Sequence, residues 1–168
     1  LLENFKNFVK NKNSKILDMG CGAGNFAKKI LAEDYKNLYL LDIDNYLYED
    51  IKDRVNFLQT NLGYEKISFE DESFDVLTML TVLEHLENPF FTIREVARIM
   101  KKGGILFLYI PHIFNIRSRL KFLFQGDLNS YSKENNHISL FTKAIFAKVI
   151  LKDFKINKTV YSEGYIKI

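Results

Sequence analysis

The feature that most constrains this chain is the run Ile16-Leu-Asp18-Met-Gly20-Cys-Gly22-Ala-Gly24-Asn25-Phe26, in which an apolar segment passes through three alternating glycines into an apolar stripe at helical spacing. A strand that turns into a helix through glycines lets backbone approach a ligand closely and aims helix N–H groups at negative charge. A tight strand-to-helix turn with no ligand is the plain alternative. Two carboxylates sharpen the choice. Asp18 stands before the glycines, where a dinucleotide has no need of a carboxylate but the ammonium of an amino-acid ligand does. Asp42 ends the next apolar run, a place from which a carboxylate accepts hydrogen bonds from both ribose hydroxyls. Together they favour a nucleoside that carries an amino acid. A nicotinamide-dependent oxidoreductase shares the glycine turn but sets two residues before its third glycine, and the strict alternation here argues against it.

Beyond the turn, the pattern alternates. Leu1, Leu2, Phe5, Phe8 and Val9 recur at helical spacing, and short apolar runs over 15–19, 37–42, 55–58, 74–80 and 105–110 read as buried strands. Asn88-Pro89 supplies a cap and a first-turn proline for a helix whose Ile93, Val96, Ala97 and Met100 share one face, and Gly103-Gly104 stops it. Thr142 caps a helix through residue 151, and 154–168 has room for two final strands. Five strands separated by helices predict a mostly parallel sheet covered on both faces, a doubly wound, three-layer α/β/α arrangement. With 168 residues, 47% of them hydrophobic, the chain builds one buried core, so 1–168 is read as a single domain. The stretch 112–141 breaks the rhythm: a basic, apolar part over 113–124 precedes a polar part over 125–137. It leaves the end of the fifth strand, the side on which open α/β sheets bind ligands, and is therefore expected to be a lid-like insertion.

Charge and cysteine content exclude several classes. The formal net charge is +3, with basic residues spread along the chain, so no nucleic-acid partner is expected. Cys21 is the only cysteine, which rules out an intrachain disulfide and a multi-cysteine metal site and makes the cytoplasm the expected compartment. No run approaches the roughly 20 apolar residues of a membrane span. The chain opens on Leu1, without an initiating Met or a signal-like pattern, as a fragment would.

Several ordered motifs resemble the class I S-adenosylmethionine-dependent methyltransferases, in particular their small-molecule group. Besides Asp18 to Gly24 they are Asp42-Ile43-Asp44, Asn61-Leu62, Ser73-Phe74-Asp75-Val76, Val82-Leu83-Glu84-His85-Leu86, Asn88-Pro89, and Glu95, Arg98 and Met100-Lys-Lys-Gly103-Gly104. The likeness runs closely over 15–112. It implies a Rossmann-like, seven-stranded sheet whose last strand is antiparallel, with S-adenosyl-L-methionine across the ends of strands one, two and four.

Position by position, the resemblance assigns Asp18 and Gly20 to the methionine end, with Cys21 also among the cofactor-binding residues and Gly22 allowing close approach. Asp42 goes to the ribose, Ile43 and Leu62 to the adenine, and Leu80 and Thr81 to the sulfonium side. Asn61 stands where the family usually has Asp; its amide oxygen still accepts from the adenine amino group, with weakened recognition. Some quinone O-methyltransferases of the group carry an acid at the Thr81 position together with Glu84 and His85, and without that acid no metal is expected. His85 is the candidate general base toward a hydroxyl acceptor, the alternative being that Glu84 and His85 only organise the loop. Methyl transfer from a sulfonium proceeds largely by positioning, so a dedicated base is optional.

His112 and His137 are candidate acceptor contacts, with local capping the other reading for His137, and Tyr109 and Tyr131 are further candidates. Arg117, Arg119 and Lys121 alternate with Ile116, Leu120, Phe122 and Phe124, as in an interfacial helix, an anionic-acceptor site or a solvated lid face. Cys21 reads as a packing residue, since no basic partner is near it in sequence. The expected reaction is methylation, at oxygen, of a small-molecule, glycan-like or lipid-linked acceptor. A cofactor-binding but inactive subunit of a complex is the alternative from another class.

Overall fold

The computed structural model describes residues 1–162 and 165–167. Its centre is a sheet of five parallel strands: β1 (Ile16–Met19), β2 (Leu38–Asp42), β3 (Asn56–Gln59), β4 (Phe74–Leu80) and β5 (Met100–Pro111). They lie in the order β3-β2-β1-β4-β5, and the short strands β6 (Val160–Ser162) and β7 (Tyr165–Lys167) continue the sheet beyond β5 as β7-β6. Strand β7 runs antiparallel to both β5 and β6.

Burial on both faces explains why these strands read as continuous apolar runs. All four residues of β1 are buried, and Ile16 faces one layer while Leu17 and Met19 face the other. On the Ile16 side pack α1 (Leu2–Phe8), α2 (Asn25–Leu31) and the single turn α3 (Glu49–Lys52), through Phe5, Phe26, Ile30 and Ile51. On the Leu17 side pack α4 (Pro89–Ile99) and α6 (Lys143–Val149), through Ile93, Val96, Ile99 and Phe146. The three-layer, Rossmann-like architecture follows from two apolar faces that only helices on both sides cover.

Cap chemistry sets several boundaries. The Asn88 side chain accepts from the Phe91 N–H at 3.1 Å, with Pro89 at the first helical position, and Thr142 caps α6 through the Ile145 N–H at 3.2 Å. Two expectations shift. Helix α4 ends at Ile99, before the glycines, and β5 already begins at Met100, with Gly103 at φ +78° inside its first half. Near their starts β4 and β5 fall out of step between the pairs Phe74–Met100 and Val76–Ile105, the surplus residues lying in β5, while the N–H groups of Asp75 and Val76 both reach the Lys15 carbonyl at 3.0 and 3.2 Å.

The 112–141 stretch contains one helix, α5 (Ile116–Gln125), capped by Asn115 through the Ser118 N–H and closed by Gly126 at φ +74°. Among the described residues no helix is long and apolar enough to cross a membrane.

Candidate active site

A cleft of about 530 Å³ opens at the carboxyl ends of the parallel strands. Its walls come from Gly20 after β1, Asp42 and Ile43 at the end of β2, Thr60, Asn61 and Leu62 after β3, and Thr81, Val82, His85, Leu86 and Glu87 after β4. Asn136 and Ile138 of the 112–141 stretch close one side. Strand order changes direction between β1 and β4, and such a switch point is where an open α/β sheet leaves a crevice.

The three glycines of the β1 turn all have positive φ, but they meet different surroundings. A Cβ at Gly20 would stand 2.5 Å from Val82 Cγ2, and one at Gly24 2.3 Å from Ile51 Cδ1, so both glycines exist for packing. A Cβ at Gly22 would meet nothing within 4 Å. Gly22 therefore borders open space, which is the cradle a ligand pressed against the turn requires.

Asp42 organises this wall. One carboxylate oxygen accepts the Gly22 N–H and the other the Ile43 N–H, both at 2.7 Å. Each oxygen keeps a further lone pair for a ligand hydroxyl. Beside it Ile43 is 55% exposed, an apolar side chain on the cleft rim. Asp18 is buried behind the wall rather than on it, where it accepts a hydrogen bond from the Thr78 hydroxyl. Burial pushes its carboxyl up to about 7, the Thr78 bond working against that rise and the nearby Asp42 charge adding to it. Burial likewise pushes the Cys21 thiol well above its ordinary range, which agrees with a packing role.

At the end of β4, Thr81 is held at φ +60°, an uncommon conformation for a β-branched residue, and its hydroxyl donates to the Leu80 carbonyl at 2.5 Å. The next residues form a 3-10 turn, Leu83–His85. The Glu84 carbonyl accepts N–H bonds from both Ile138 and Ser139, at 2.8 and 3.0 Å, and the Ser139 hydroxyl donates to the Leu86 carbonyl at 2.5 Å. The Tyr131 hydroxyl donates to the Ser139 carbonyl at 2.6 Å, so the segment is tied to the turn and to itself. His85 and His137 meet edge to face with ring centroids 4.6 Å apart. Burial lowers the His137 pKa, opposed by its bond to the Ser130 carbonyl, and burial pushes the Glu84 carboxyl up to about 7.

Of the residues singled out in the sequence, the cleft thus gathers Gly20, Asp42, Ile43, Asn61, Leu62, Thr81 and His85 on its walls. Asp18, Cys21, Gly22 and Leu80 lie behind or beside it, and His137 stands against His85. His112 is set apart from the cleft walls, against the rings of Phe114 and Tyr161 at 6.3 and 5.1 Å. Sequence reasoning missed Asn136, Ile138 and Tyr64 as lining residues; their only signal is proximity to motifs already noted. Glu95 and Arg98, part of the motif set, have a structural task. The Arg98 guanidinium binds the Glu95 and Asp71 carboxylates at 2.7 and 2.8 Å and donates to the carbonyls of Ile67 and Phe69, which pins the 67–71 loop against α4.

Comparison with known proteins places these observations in a family. Residues 17–108 match the family model described as a methyltransferase domain. An uncharacterized protein of Methanocaldococcus jannaschii, MJ0638, is 30% identical over 163 residues, 95% of this chain and 61% of that one. The ubiquinone biosynthesis O-methyltransferase of Hydrogenovibrio crunogenus is 34% identical over 116 residues, 63% of this chain and 46% of that one. The chain therefore spans only about half to three fifths of the length of these relatives. In three dimensions the PH0226 protein from Pyrococcus horikoshii superposes with a TM-score of 0.74, covering 98% of this chain and 84% of its own, at 19% identity, a likeness of fold alone.

Proposed function

This chain belongs to the class I S-adenosylmethionine-dependent methyltransferases, and from that premise we propose that it transfers a methyl group from S-adenosyl-L-methionine to an oxygen of a small-molecule or glycan-like acceptor. The observation that carries the reading is the convergence of four strand ends on one cleft at whose rim Asp42 offers its carboxylate, with Gly22 beside it bordering open space. The residues fit the cofactor's parts. Asp42 accepts from the ribose hydroxyls, Ile43 and Leu62 pack the adenine, and the Asn61 amide oxygen accepts from the adenine amino group. The turn of Gly20, Cys21 and Gly22 holds the methionine end with Asp18 behind it, and Leu80 and Thr81 border the methyl-donating side.

The cofactor supplies a methyl carbon already activated on a sulfonium, so the chain's own work is to position the acceptor in line and keep water away. His85 lines the acceptor side of the cleft, and its Nδ1 faces the Asn136 carbonyl at 3.3 Å. A carbonyl only accepts, so in the neutral ring Nδ1 carries the proton and Nε2 keeps a lone pair, the form a general base toward a hydroxyl needs. His137 extends that side, and the 112–141 segment serves as the lid. His112, away from the walls, contacts an acceptor only if that acceptor is long enough to leave the cleft. On α5, Ile116, Leu123 and Phe124 are 67, 72 and 79% exposed beside exposed Arg117 and Arg119, which supports peripheral contact and a lipid-linked acceptor. The Hydrogenovibrio relative, named for O-methylation, supports oxygen as the acceptor atom.

Calorimetric titration with S-adenosylmethionine, its demethylated product and NAD in parallel tests the reading. The first two bind and NAD does not; binding of NAD alone overturns it. Asp42→Ala weakens cofactor binding by about 10-fold or more, as expected for a charge-assisted bond of roughly 1.5 to 3 kcal/mol, and an unchanged affinity removes Asp42 from the site.

A further inference from the structure

The loop after β3 closes on itself at the mouth of the cleft. The Asn61 N–H donates to the Glu65 carboxylate at 3.1 Å, and the N–H groups of Tyr64 and Glu65 return to the Asn61 carbonyl at 3.3 and 3.1 Å. Gly63, at φ +94°, lies against the entry to α4, where a Cβ would stand 3.5 Å from the Asn88 nitrogen. A turn bonded to itself and seated on a helix entry fixes the direction of the side chain it displays. That side chain is Tyr64, which lines the cleft and is 58% exposed.

The phenol is held at its far end as well. Its hydroxyl donates to the carboxylate of Glu87, a cleft residue of the segment after β4, and this bond raises the Tyr64 pKa above its ordinary value. With its polar tip engaged, the ring has only its faces to offer a ligand. Ile43, also more than half exposed, leaves the neighbouring strand end: Asp42 pairs with Gln59, whose side chain donates to the Ile43 carbonyl at 3.0 Å. Exposed apolar and aromatic side chains gathered on one cleft are surface that a ligand covers.

We propose that Tyr64 is a cofactor-binding residue that stacks its ring on the adenine of S-adenosylmethionine, with Glu87 as the positioning residue that holds the ring in place. The inference rests on the reading of the cleft as the cofactor site, in which Ile43, Asn61 and Leu62 surround the base. A purine has two π faces and an amino edge. Ile43 packs on one face and Asn61 meets the edge, while Tyr64, on the same closed turn as Asn61, covers the face that remains. Stacking tolerates any base, because every base has a π face, so Tyr64 contributes affinity and leaves the choice of adenine to Asn61. It thereby offsets the weaker recognition expected of an amide in place of a carboxylate.

Calorimetric titration of the full chain with S-adenosylhomocysteine tests this assignment. Tyr64→Ala weakens binding by about 10-fold or more, as loss of a base-stacking ring does, whereas Tyr64→Phe keeps the ring and stays within about 3-fold of wild type. Tyr46→Ala removes a comparably exposed tyrosine that does not line the cleft and leaves the affinity unchanged. Glu87→Ala costs about 3-fold in the wild-type chain and nothing in the Tyr64→Phe chain, and Glu87→Gln restores binding, a coupling that a purely structural glutamate would not show. Thermal unfolding is recorded alongside; if Tyr64→Ala does not fold, Tyr64→Leu, apolar but without a ring, carries the decision through a loss of at least about 5-fold. Equal losses in the Ala and Phe variants, or an Ala variant with wild-type affinity, overturn the stacking role alone. A wild-type chain that does not bind S-adenosylhomocysteine overturns the cofactor reading and this inference with it.

Discussion

The two walls of the cleft are built by different means. The wall of β1 and β2 is backbone: glycines at positive φ, a carboxylate holding two N–H groups, and an exposed Ile43. The opposite wall, of His85 to Glu87 with Asn136 and Ile138, is held by hydrogen bonds and ring contacts between segments remote in sequence. A wall made of backbone suits a part of the ligand that never varies, because substitution there disturbs the turn itself. A wall made of side chains on an insertion can be rebuilt without disturbing the sheet, which suits the acceptor preference proposed for it.

The largest effect that would break this contrast lies within the backbone wall. Gly20→Ala places a methyl 2.5 Å from Val82 at φ +69° and is expected to destabilise the fold by about 2–5 kcal/mol, from left-handed strain plus overpacking. Gly22→Ala carries only the strain, about 1–2 kcal/mol, yet puts its methyl into the space assigned to the cofactor and should lower S-adenosylmethionine affinity by about 10-fold or more. Thermal unfolding and calorimetry on the pair separate the two effects. A Gly22→Ala chain with unchanged affinity would show that the open space belongs to something else.

A smaller, pH-dependent effect sharpens the same wall. Burial raises the Asp18 carboxyl to about 7, so the folded chain holds a proton there that the unfolded chain releases. The unliganded fold therefore gains stability as pH falls from about 7 toward 4, and above 7 it bears the cost of a buried charge. A ligand ammonium requires the ionised form, so cofactor affinity should fall below pH 7, approaching tenfold per unit. Asp18→Asn should bind more weakly and flatten the profile. A wild-type profile with no inflection between about pH 6 and 8 would leave Asp18 as a partner of Thr78 alone.

The smallest effect belongs to the side-chain wall. Tyr131→Phe removes the bond to the Ser139 carbonyl and should cost about 0.5–1.5 kcal/mol of stability, with cofactor affinity unchanged. If cofactor affinity fell as well, the two walls would not be independent.

What was legible in the sequence follows the same division. Strands buried on both faces announce themselves as apolar runs, and the turn of β1, Asp42 and the cap at Asn88 depend on residues close in sequence. The single turn α3 is too short to show a period, and β5 starts at Met100 because its pairing partner Phe74, rather than Gly103 and Gly104, decides where extension begins. His112 shows the limit at a strand end: the sequence places the backbone near the cleft, but the side chain turns to Phe114 and Tyr161. The approach of His137 to His85 and Glu84 has no local signature, since it depends on the insertion folding back.

The irregular step near the starts of β4 and β5 has a consequence for how such a protein tolerates change in length. Between the pairs Phe74–Met100 and Val76–Ile105 the β5 strand spends more residues than β4, and from Val76 to Leu80 the pairing with Ile105 to Tyr109 proceeds one residue for one. The surplus of β5 is absorbed at the amino end of the pair, before it displaces Leu80 from Tyr109. The half of the sheet remote from the cleft thus acts as an expansion joint, and a change of length on that side leaves the cleft ends of the two strands in register.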